Sequence, residues 1–461
     1  MQIKFQAFDY TAADEFELAE YEFRGDSQSH WEILRNGSLY LRLGKGYQLL
    51  QNQYCGICST DISRRFLPFP LPQVIGHEVI GKSLQDGRSY AVEINDTSWA
   101  RGEEEHDVFI RSGLPTHSPS RMVLGIDRLP GGFAPYLLAP QNAMVDIGEL
   151  DFRTAVLLEP FAAALHAVHR CPPQPGEAVA VLGPRKLGSL LIAALSMYRS
   201  QQGFSFTIHA LTRRTDLAPV YKHLGADAVQ YTSQIESEQA CYSRIYDTTG
   251  SSEAFLQALQ WAEKEVHLKT TNGQTTAGIS HMTDLVVDEL CLAGNVPYPS
   301  QQTQSSSLYA GKQYPNFAIP PAYKVYTGEP KNAIQQLIKD FPQGIPRFDV
   351  ALAQNLAEVD DFIRTGVTTG SSLLKPRGRI VLQMVEKSVL SSFLAKGGVV
   401  SSSRCGDFHQ ALDFLQQHPA MAKSIGEQLV SDIYPAEQIP LAYDKAKQKD
   451  SIKVVLQHTT Q

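Results

Sequence analysis

The sequence has few cysteines and no long hydrophobic run. Six cysteines spread over 461 residues do not form the dense framework of small secreted disulfide proteins. No apolar run reaches the roughly 18 residues of a transmembrane helix, and the N-terminus lacks the charged flank and apolar core of a signal peptide. We therefore expect a protein of the cytoplasm, a reducing compartment, without a membrane partner.

An excess of positive charge is also absent. Lys and Arg number 41 against 48 Asp and Glu, so the formal net charge is -7. This balance presents no basic field to a polyanion, and nucleic acid is not an expected partner. The length is sufficient for two domains, or for one fold that carries an insertion.

One short stretch concentrates groups that bind metals. It reads Cys-Gly-Ile-Cys-Ser-Thr-Asp over residues 55–61 and, after a proline-rich run, Gly-His-Glu over residues 76–78. Zinc accepts thiolate, imidazole and carboxylate ligands, and a catalytic zinc keeps one position open. One Cys and one His supply only part of such a set. A further ligand must come from elsewhere, and Glu159, in Leu-Leu-Glu-Pro-Phe-Ala, is the candidate.

A strand, a turn and a helix are predicted at residues 177–198. Dinucleotide-binding turns usually read Gly-x-Gly-x-x-Gly, and the middle glycine lets the backbone approach the pyrophosphate. Here the turn reads Gly-Pro-Arg-Lys-Leu-Gly, with Arg185 at the middle position. Either a cofactor lies further out, with Arg185 or Lys186 pairing a phosphate, or the site has lost its cofactor. The candidate cofactor-binding residues of the turn are Gly183, Arg185, Lys186, Leu187 and Gly188.

The next predicted strand, residues 204–211, is followed by Thr212 and then by a basic pair. A site for NAD usually places Asp or Glu there, to bond the ribose 2′-hydroxyl. This chain has Arg213 and Arg214, whose guanidinium groups suit a 2′-phosphate. The pair predicts NADP in preference to NAD, and the alternative is two solvated arginines in a loop.

These motifs, with Gly-Gly-Phe-Ala over residues 131–134, occur in the order and near the spacing of a known family. The chain resembles the zinc-containing medium-chain dehydrogenases/reductases, in their polyol, sugar and threonine dehydrogenase branch. The resemblance implies an α/β fold: a GroES-like, mostly-β catalytic domain and a Rossmann domain with a doubly wound parallel sheet. The implied domains are residues 1–170 with 425–461 and residues 171–424, the second with an insertion at about 298–397.

The insertion has no counterpart in the resembled family. It reads as strand, helix and strand at residues 347–352, 358–368 and 379–383, and it faintly echoes residues 244–268. Partial duplication and chance similarity are both open.

The resemblance also implies roles for single residues. Thr60 would relay the substrate proton, and Ser63 stands where a histidine often extends that relay, so water or the cofactor ribose must bridge. Glu78 would be a carboxylate that moves on and off the metal. The implied zinc ligands are Cys58, His77, Glu78 and Glu159.

The implied activity is reversible hydride transfer between NADP(H) and a secondary alcohol or ketone of a polyol, sugar or related polar metabolite. One catalytic zinc is expected and no structural zinc, because residues 93–128 contain no cysteine. A homo-oligomer, a dimer or tetramer, is usual for the family. The alternative, motivated by Arg185 and the insertion, is a binding or scaffold protein that keeps the fold without the chemistry.

Overall fold

A computed structural model describes most of the chain, and the molecule divides into two compact units. The first unit comprises residues 1–162 and 406–461, and the second comprises residues 163–405. The predicted boundaries lay at 170/171 and 424/425. The described residues are 1–103, 107–235, 241–270, 273–297, 306–311, 318–364, 372–383 and 387–459.

The first unit is mostly β. Its N-terminal strands form an antiparallel four-stranded sheet in chain order. These strands are β1 (Gln2–Tyr10), β2 (Phe16–Gly25), β3 (Trp31–Arg35) and β4 (Ser38–Leu43).

A second sheet of the first unit joins distant parts of the chain. Its order is β11-β7-β6-β5-β24-β23, and β10 also pairs with β5. The strands are β5 (Tyr47–Gly56), β6 (Glu78–Ser83), β7 (Ser89–Val92), β10 (Tyr136–Pro140), β11 (Met144–Asp146), β23 (Val430–Pro435) and β24 (Lys453–Gln457), and a small ribbon pairs β8 (Asn95–Asp96) with β9 (Met122–Val123). The C-terminal strand thus lies beside β5, which precedes the metal-binding motif.

The helices of the first unit are short up to residue 155 and longer after it. Some of them begin at a residue whose side chain caps the helix. Asp151 is an example, because its carboxylate accepts from the backbone N–H of Arg153. They are α1 (Ser59–Ile62), α2 (Ser98–Arg101), α3 (Val108–Arg111), α4 (Phe152–Ala155), α5 (Leu158–Arg170), which runs into the second unit, α13 (Phe408–Gln417), α14 (Pro419–Leu429) and α15 (Ile439–Lys447).

The second unit is an eleven-stranded sheet with helices between its strands. The sheet order is β14-β13-β12-β15-β16-β22-β17-β21-β20-β18-β19. Its strands are β12 (Ala178–Leu182), β13 (Thr207–Thr212), β14 (Ala228–Tyr231), β15 (Tyr242–Asp247), β16 (Ala262–Leu268), β17 (Cys291–Ala293), β18 (Ser306–Tyr309), β19 (Tyr323–Tyr326), β20 (Phe348–Ala353), β21 (Leu374–Leu382) and β22 (Val399–Ser402). Its helices after α5 are α6 (Lys186–Gln202), α7 (Ala218–His223), α8 (Ser252–Trp261), α9 (Met282–Val287), α10 (Pro330–Asp340), α11 (Leu356–Ile363) and α12 (Val389–Ala395).

Central strands of this sheet are buried on both faces, as their near-continuous Val, Ile, Leu and Ala content requires. The strand, helix and strand predicted inside the insertion correspond to β20, α11 and β21, while residues 365–368 of the predicted helix lie outside the described residues. The insertion therefore extends the sheet of the second unit.

All six cysteines are described and all are free. In the described part of the chain, no helix combines the length and the apolar character that membrane crossing requires.

A buried histidine at the end of β24 gives a pH-dependent stability. His458 Nε2 donates to the carbonyl of Gly132 at 2.9 Å, and burial lowers the pKa of His458 from 6.5 to about 4. Between these values the unfolded chain takes up a proton that the folded chain does not, so stability falls as pH falls from 6.5 to 4. We expect this group to remove up to about 3 kcal/mol over that window.

Urea unfolding at pH 7 and pH 4.5 measures the effect, with His458→Gln as the matched variant. Glutamine has a side-chain N–H for the same carbonyl and does not titrate. The wild type should lose more unfolding free energy on acidification than the variant. An equal loss in both proteins contradicts the neutral, buried state of His458.

Candidate functional site

Cys58 lies at the junction between β5 and α1. Its backbone N–H donates to the Asp61 carboxylate at 2.8 Å, which fixes the first turn of α1. The N–H of Ile57 donates to the carbonyl of Val454 in β24 at 2.9 Å. The thiol is thus held from both sides, and its Sγ lies 3.7 Å from Thr60 Oγ1.

His77 is buried beside the same carboxylate. Asp61 Oδ1 lies 3.2 Å from His77 Nδ1 and also accepts from the backbone N–H of Gly76. Burial alone lowers the pKa of His77, but the Asp61 carboxylate and a hydrogen bond with Cys58 outweigh burial and raise it well above its ordinary value. A carboxylate on Nδ1 orients an imidazole so that Nε2 can bind a metal. The structure therefore brings Cys58 and His77 together and adds Asp61 as the orienting group.

Glu78 is held by a lysine that sequence reasoning missed. Lys453, the first residue of β24, places Nζ 2.6 and 2.5 Å from the two Glu78 carboxylate oxygens, and both side chains are almost fully buried. Gly56, opposite Glu78 in the sheet, leaves the necessary room, because a Cβ there would lie 2.1 Å from Glu78 Oε2. A charged residue opening the apolar run Val-Val-Leu of β24 was the available signal for Lys453.

The charge of Glu159 affects the pKa values of Lys453 and Glu93. Burial lowers the pKa of Lys453, but the negative charges of Glu78, Cys58 and Glu159 outweigh it and raise that pKa. Burial also raises the pKa of Glu93 to about 7, against hydrogen bonds from Asn95 and with a further contribution from Glu159. Glu159 therefore lies within electrostatic reach of Lys453, at the start of α5.

The remaining relay candidate lies apart from this group. Ser63 follows α1 directly, its side chain is exposed, and its N–H closes the helix on the carbonyl of Ser59 at 3.0 Å. Thr60 is partly buried beside the Cys58 sulfur.

The donors of the first unit fit zinc in kind: a partly buried thiol, an imidazole oriented through Nδ1, and the Glu159 carboxylate. Glu78 has both oxygens engaged by Lys453, so a metal there would compete with the ammonium group.

A tighter cluster of possible ligands lies in the second unit. Among the described residues, Cys171, Glu265 and His267 form the one group of three whose ligand atoms all lie within 4.8 Å of one another. Arg244 donates to Glu265 and to the Cys171 sulfur, and serine hydroxyls lie 2.8 Å from both ring nitrogens of His267. The Cys171 and Glu265 side chains thus have the Arg244 guanidinium as a hydrogen-bond partner, and His267 has the two serines. We therefore interpret the cluster as a structural hydrogen-bond network.

The turn after β12 is built for close contact. Gly183 has φ +70°, and a Cβ there would lie 2.3 Å from the Thr249 side chain. A Cβ on Gly188 would lie 2.6 Å from Thr248 Oγ1, whose hydroxyl donates to the carbonyl of Leu182 at 3.0 Å. The two glycines are therefore needed for packing of the turn and of α6 against the segment after β15.

Asp247 ends β15 in the same region. Its carboxylate accepts from the N–H and the hydroxyl of Thr249 at 2.8 and 2.6 Å, and burial raises its pKa to about 6. This carboxylate shapes the turn that packs on Gly183.

Arg185 stands at the N-terminus of α6, and Lys186 and Leu187 are the first helical residues, both partly buried. Burial lowers the pKa of Arg185, and the nearby charge of Arg214 lowers it further. Two guanidinium groups and the N-terminal end of a 17-residue helix together favour an anion.

The basic pair after β13, Arg213 and Arg214, lies in the segment between β13 and α7. Arg214 bonds Asp216, with Nε 2.7 Å from Oδ1, whereas the neighbouring Arg213 is exposed. Tyr221 in α7 is buried and donates its hydroxyl to the carbonyl of Pro184. This tyrosine, which sequence reasoning missed, fixes α7 against the turn after β12.

Comparison with known proteins identifies the first unit. Residues 44–149 match the model of the alcohol dehydrogenase GroES-like domain. The chain is 32% identical over 257 residues to L-galactonate-5-dehydrogenase of Escherichia coli strain K12, covering 50% of this chain and 75% of that protein. It is 25% identical over 204 residues to the sorbitol dehydrogenase of Halalkalibacterium halodurans, covering 42% and 58%.

Solved structures agree on the fold. L-idonate 5-dehydrogenase from Escherichia coli K-12 superposes with a TM-score of 0.56 at 14% identity, over 99% of each chain. A zinc-binding dehydrogenase from Sinorhizobium meliloti 1021, bound to NADP, gives 0.57 at 16% identity over 98% of each chain. The predicted fold class, a GroES-like domain with a doubly wound parallel sheet, is confirmed.

Proposed function

The chain belongs to the zinc-containing medium-chain dehydrogenase/reductase family, in its polyol dehydrogenase branch, and from that premise we propose that it transfers a hydride between NADP(H) and a secondary alcohol or ketone of a polyol, sugar or related polar metabolite. The observation that carries the proposal is that Cys58, through its backbone N–H, and His77, through its ring, both contact the Asp61 carboxylate. The named activities of the relatives, on L-galactonate and sorbitol, support this substrate class.

The chemistry of the site rests on Cys58, His77 and Glu159 as zinc ligands. Zinc held there would supply a Lewis acid that acidifies the substrate hydroxyl. The Thr60 hydroxyl, 3.7 Å from the Cys58 sulfur, receives the proton that this hydroxyl releases. Because Ser63 is exposed and carries no imidazole, water or the cofactor ribose bridges the next step outward.

Glu78 has a positioning part in this proposal. Lys453 holds both of its oxygens, so the carboxylate stays beside the metal ligands without adding an unbalanced negative charge. The negative charge of Asp61, 3.2 Å from His77 Nδ1, favours a proton on Nδ1, which would leave Nε2 for the metal. Both contacts, of Glu78 with Lys453 and of His77 with Asp61, are formed by the protein's own side chains.

The cofactor is NADP in preference to NAD. The support is the pair Arg185 and Arg214 near the N-terminus of α6, with no carboxylate at the end of β13, which closes on Thr212. Among the solved neighbours one is bound to NADP and another to NADH, so the preference rests on the arginines of this chain. We propose that the reaction takes place in the cytoplasm, as the low cysteine content of the sequence favours.

Fluorescence titration with NADPH and, in parallel, NADH tests the cofactor assignment. NADPH should bind more tightly, because a 2′-phosphate forms charge-assisted bonds with the arginines. Arg214→Ala should weaken NADPH binding by about tenfold or more and leave NADH binding nearly unchanged. Lys331→Ala, an exposed cation in α10, is the matched control and should change neither affinity.

Two outcomes contradict the assignment. Equal affinity for NADPH and NADH removes the 2′-phosphate contact from the proposal. If neither binds, Arg185 closes the site and the scaffold alternative becomes the better account.

A further inference from the structure

The eleven-stranded sheet changes direction once. Every neighbouring pair on either side of the junction is parallel, whereas β17 and β22 are antiparallel. A single antiparallel pairing inside an otherwise parallel sheet marks the meeting of two parallel sheets at their edges.

The two sides of the junction have the same topology. Outward from it, one side runs β22, β16, β15, β12, β13, and the other runs β17, β21, β20, β18, β19; the first side then adds β14, which has no counterpart in the described part of the other side. On each side the chain starts at the fourth of these strands, visits the fifth, and returns through the third and second. We call residues 178–293 the first copy and residues 306–402 the second copy.

The turns before the two junction strands are equivalent in detail. Three residues separate α9 from β17 and α12 from β22, and the middle one has positive φ in both turns, +53° at Glu289 and +87° at Gly397. Each middle N–H donates to the carbonyl three residues earlier, at 3.1 and 3.0 Å. Each following N–H donates to the carbonyl five residues earlier, at 2.9 and 3.0 Å. The echo seen in the sequence is thus matched by a partial duplication of structure.

The two copies have exchanged their last strands. β17 follows β16 and α9 in the chain but pairs with β21 of the second copy, and β22 follows β21 and α12 but pairs with β16 of the first. The helices are exchanged as well: α12 packs against α8, and the backbone N–H groups of Ser280 and His281, just before α9, donate to Asp360 in α11.

The register of the junction is that of a two-fold axis. Leu292 lies opposite Val400, and these two residues hold the same position in the two copies, three after the residue with positive φ. Ala293 lies opposite Val399, as the same axis requires. Self-complementary contacts of this kind usually join two identical subunits.

We propose that the second copy is a built-in partner for the first, so that the two-fold sheet contact is formed within one chain and the protein is a monomer. If the sheet of the first copy ended at its own last strand, that unpaired edge would be a template for pairing with another molecule. The second copy covers this edge at the high effective concentration that covalent linkage provides. The homo-oligomer expected from the family stays a prediction, and the sheet topology argues against it. The inference does not depend on the proposed activity.

Cross-linking of the full chain tests the proposal. Residues opposite one another in an antiparallel pair have Cα atoms about 4.5–5.5 Å apart, within the range of a disulfide. Leu292→Cys with Val400→Cys should therefore oxidise to an intrachain disulfide that gives a faster, single-chain band in denaturing electrophoresis. Leu292→Cys with Val399→Cys is the matched control, because its side chains point to opposite faces of the sheet and should not cross-link.

Light scattering of the wild type completes the test and does not need the variants to fold. The expected mass is that of one chain, 51.0 kDa, at every protein concentration. A mass of two chains, a disulfide-linked dimer of the double variant, or a folded double variant that forms no disulfide each overturns the proposal.

Discussion

Replacing Cys58 by serine is expected to remove zinc from the purified protein and to lower turnover by about a hundredfold or more. A serine hydroxyl is a poor ligand beside His77 and Glu159, and the acidification of the substrate hydroxyl, worth several kcal/mol, is lost with the metal. Metal analysis and initial rates on the same preparation measure both effects.

Cys55→Ser is the matched control for this variant. Cys55 is fully buried, burial raises the pKa of its thiol well above the ordinary value, and its sulfur faces Gly76 and Gly132. The control should keep zinc and turnover and lose only some stability. Zinc retained in Cys58→Ser, or lost equally in both variants, contradicts the assignment of Cys58 as the ligand.

Replacing Lys453 by methionine is expected to destabilise the first unit by about 3–5 kcal/mol. The change removes one partner of a buried ion pair and leaves the Glu78 carboxylate without its two short bonds to Nζ. Chemical unfolding, followed by a probe within the first unit, measures the loss.

A double-mutant cycle separates the ion pair from packing. Glu78→Gln in the Lys453→Met background removes the buried charge and should restore much of the lost stability. Leu441→Ala, at an exposed position of α15, is a control for apolar changes near the C-terminus and should have little effect. If Lys453→Met unfolds at the wild-type midpoint, the pair does not support the site as described.

The residues of the candidate metal site could be proposed from local motifs, but the charges that surround them could not. Cys58 and His77 belong to one short stretch, and Asp61 stands inside the same motif. Lys453 reaches Glu78 only because β24 pairs with β5, a contact between the two ends of the chain. Local periodicity carries no information on such a pairing, so Lys453 remained unassigned.

The insertion shows the same limit at the level of the fold. Period and apolar content predicted β20, α11 and β21, because these elements depend on local patterning. The exchange of β17 and β22 could not be predicted, since each is a short apolar strand that fits beside either β16 or β21. The register between Leu292 and Val400 resolves this choice.

The glycine-bearing turn after β12 was predictable in position, but the residues that contact it were less so. The glycine spacing located Gly183 and Gly188, whose close contacts with Thr248 and Thr249 follow from the fold. The proximity of Arg185 to Arg214 depends on β13 lying beside β12, which the strand and helix alternation implied.

Turnover with and without bound zinc tests the central claim most directly. The purified protein is assayed for NADP reduction with a panel of polyols, sugars and sugar acids, before and after removal of the metal with a chelator, and again after zinc is restored. We predict NADPH formation with at least one secondary alcohol, its loss with the metal, and its recovery with zinc. Full turnover by the metal-free protein, or no turnover with any alcohol while zinc and NADP are bound, would contradict the account.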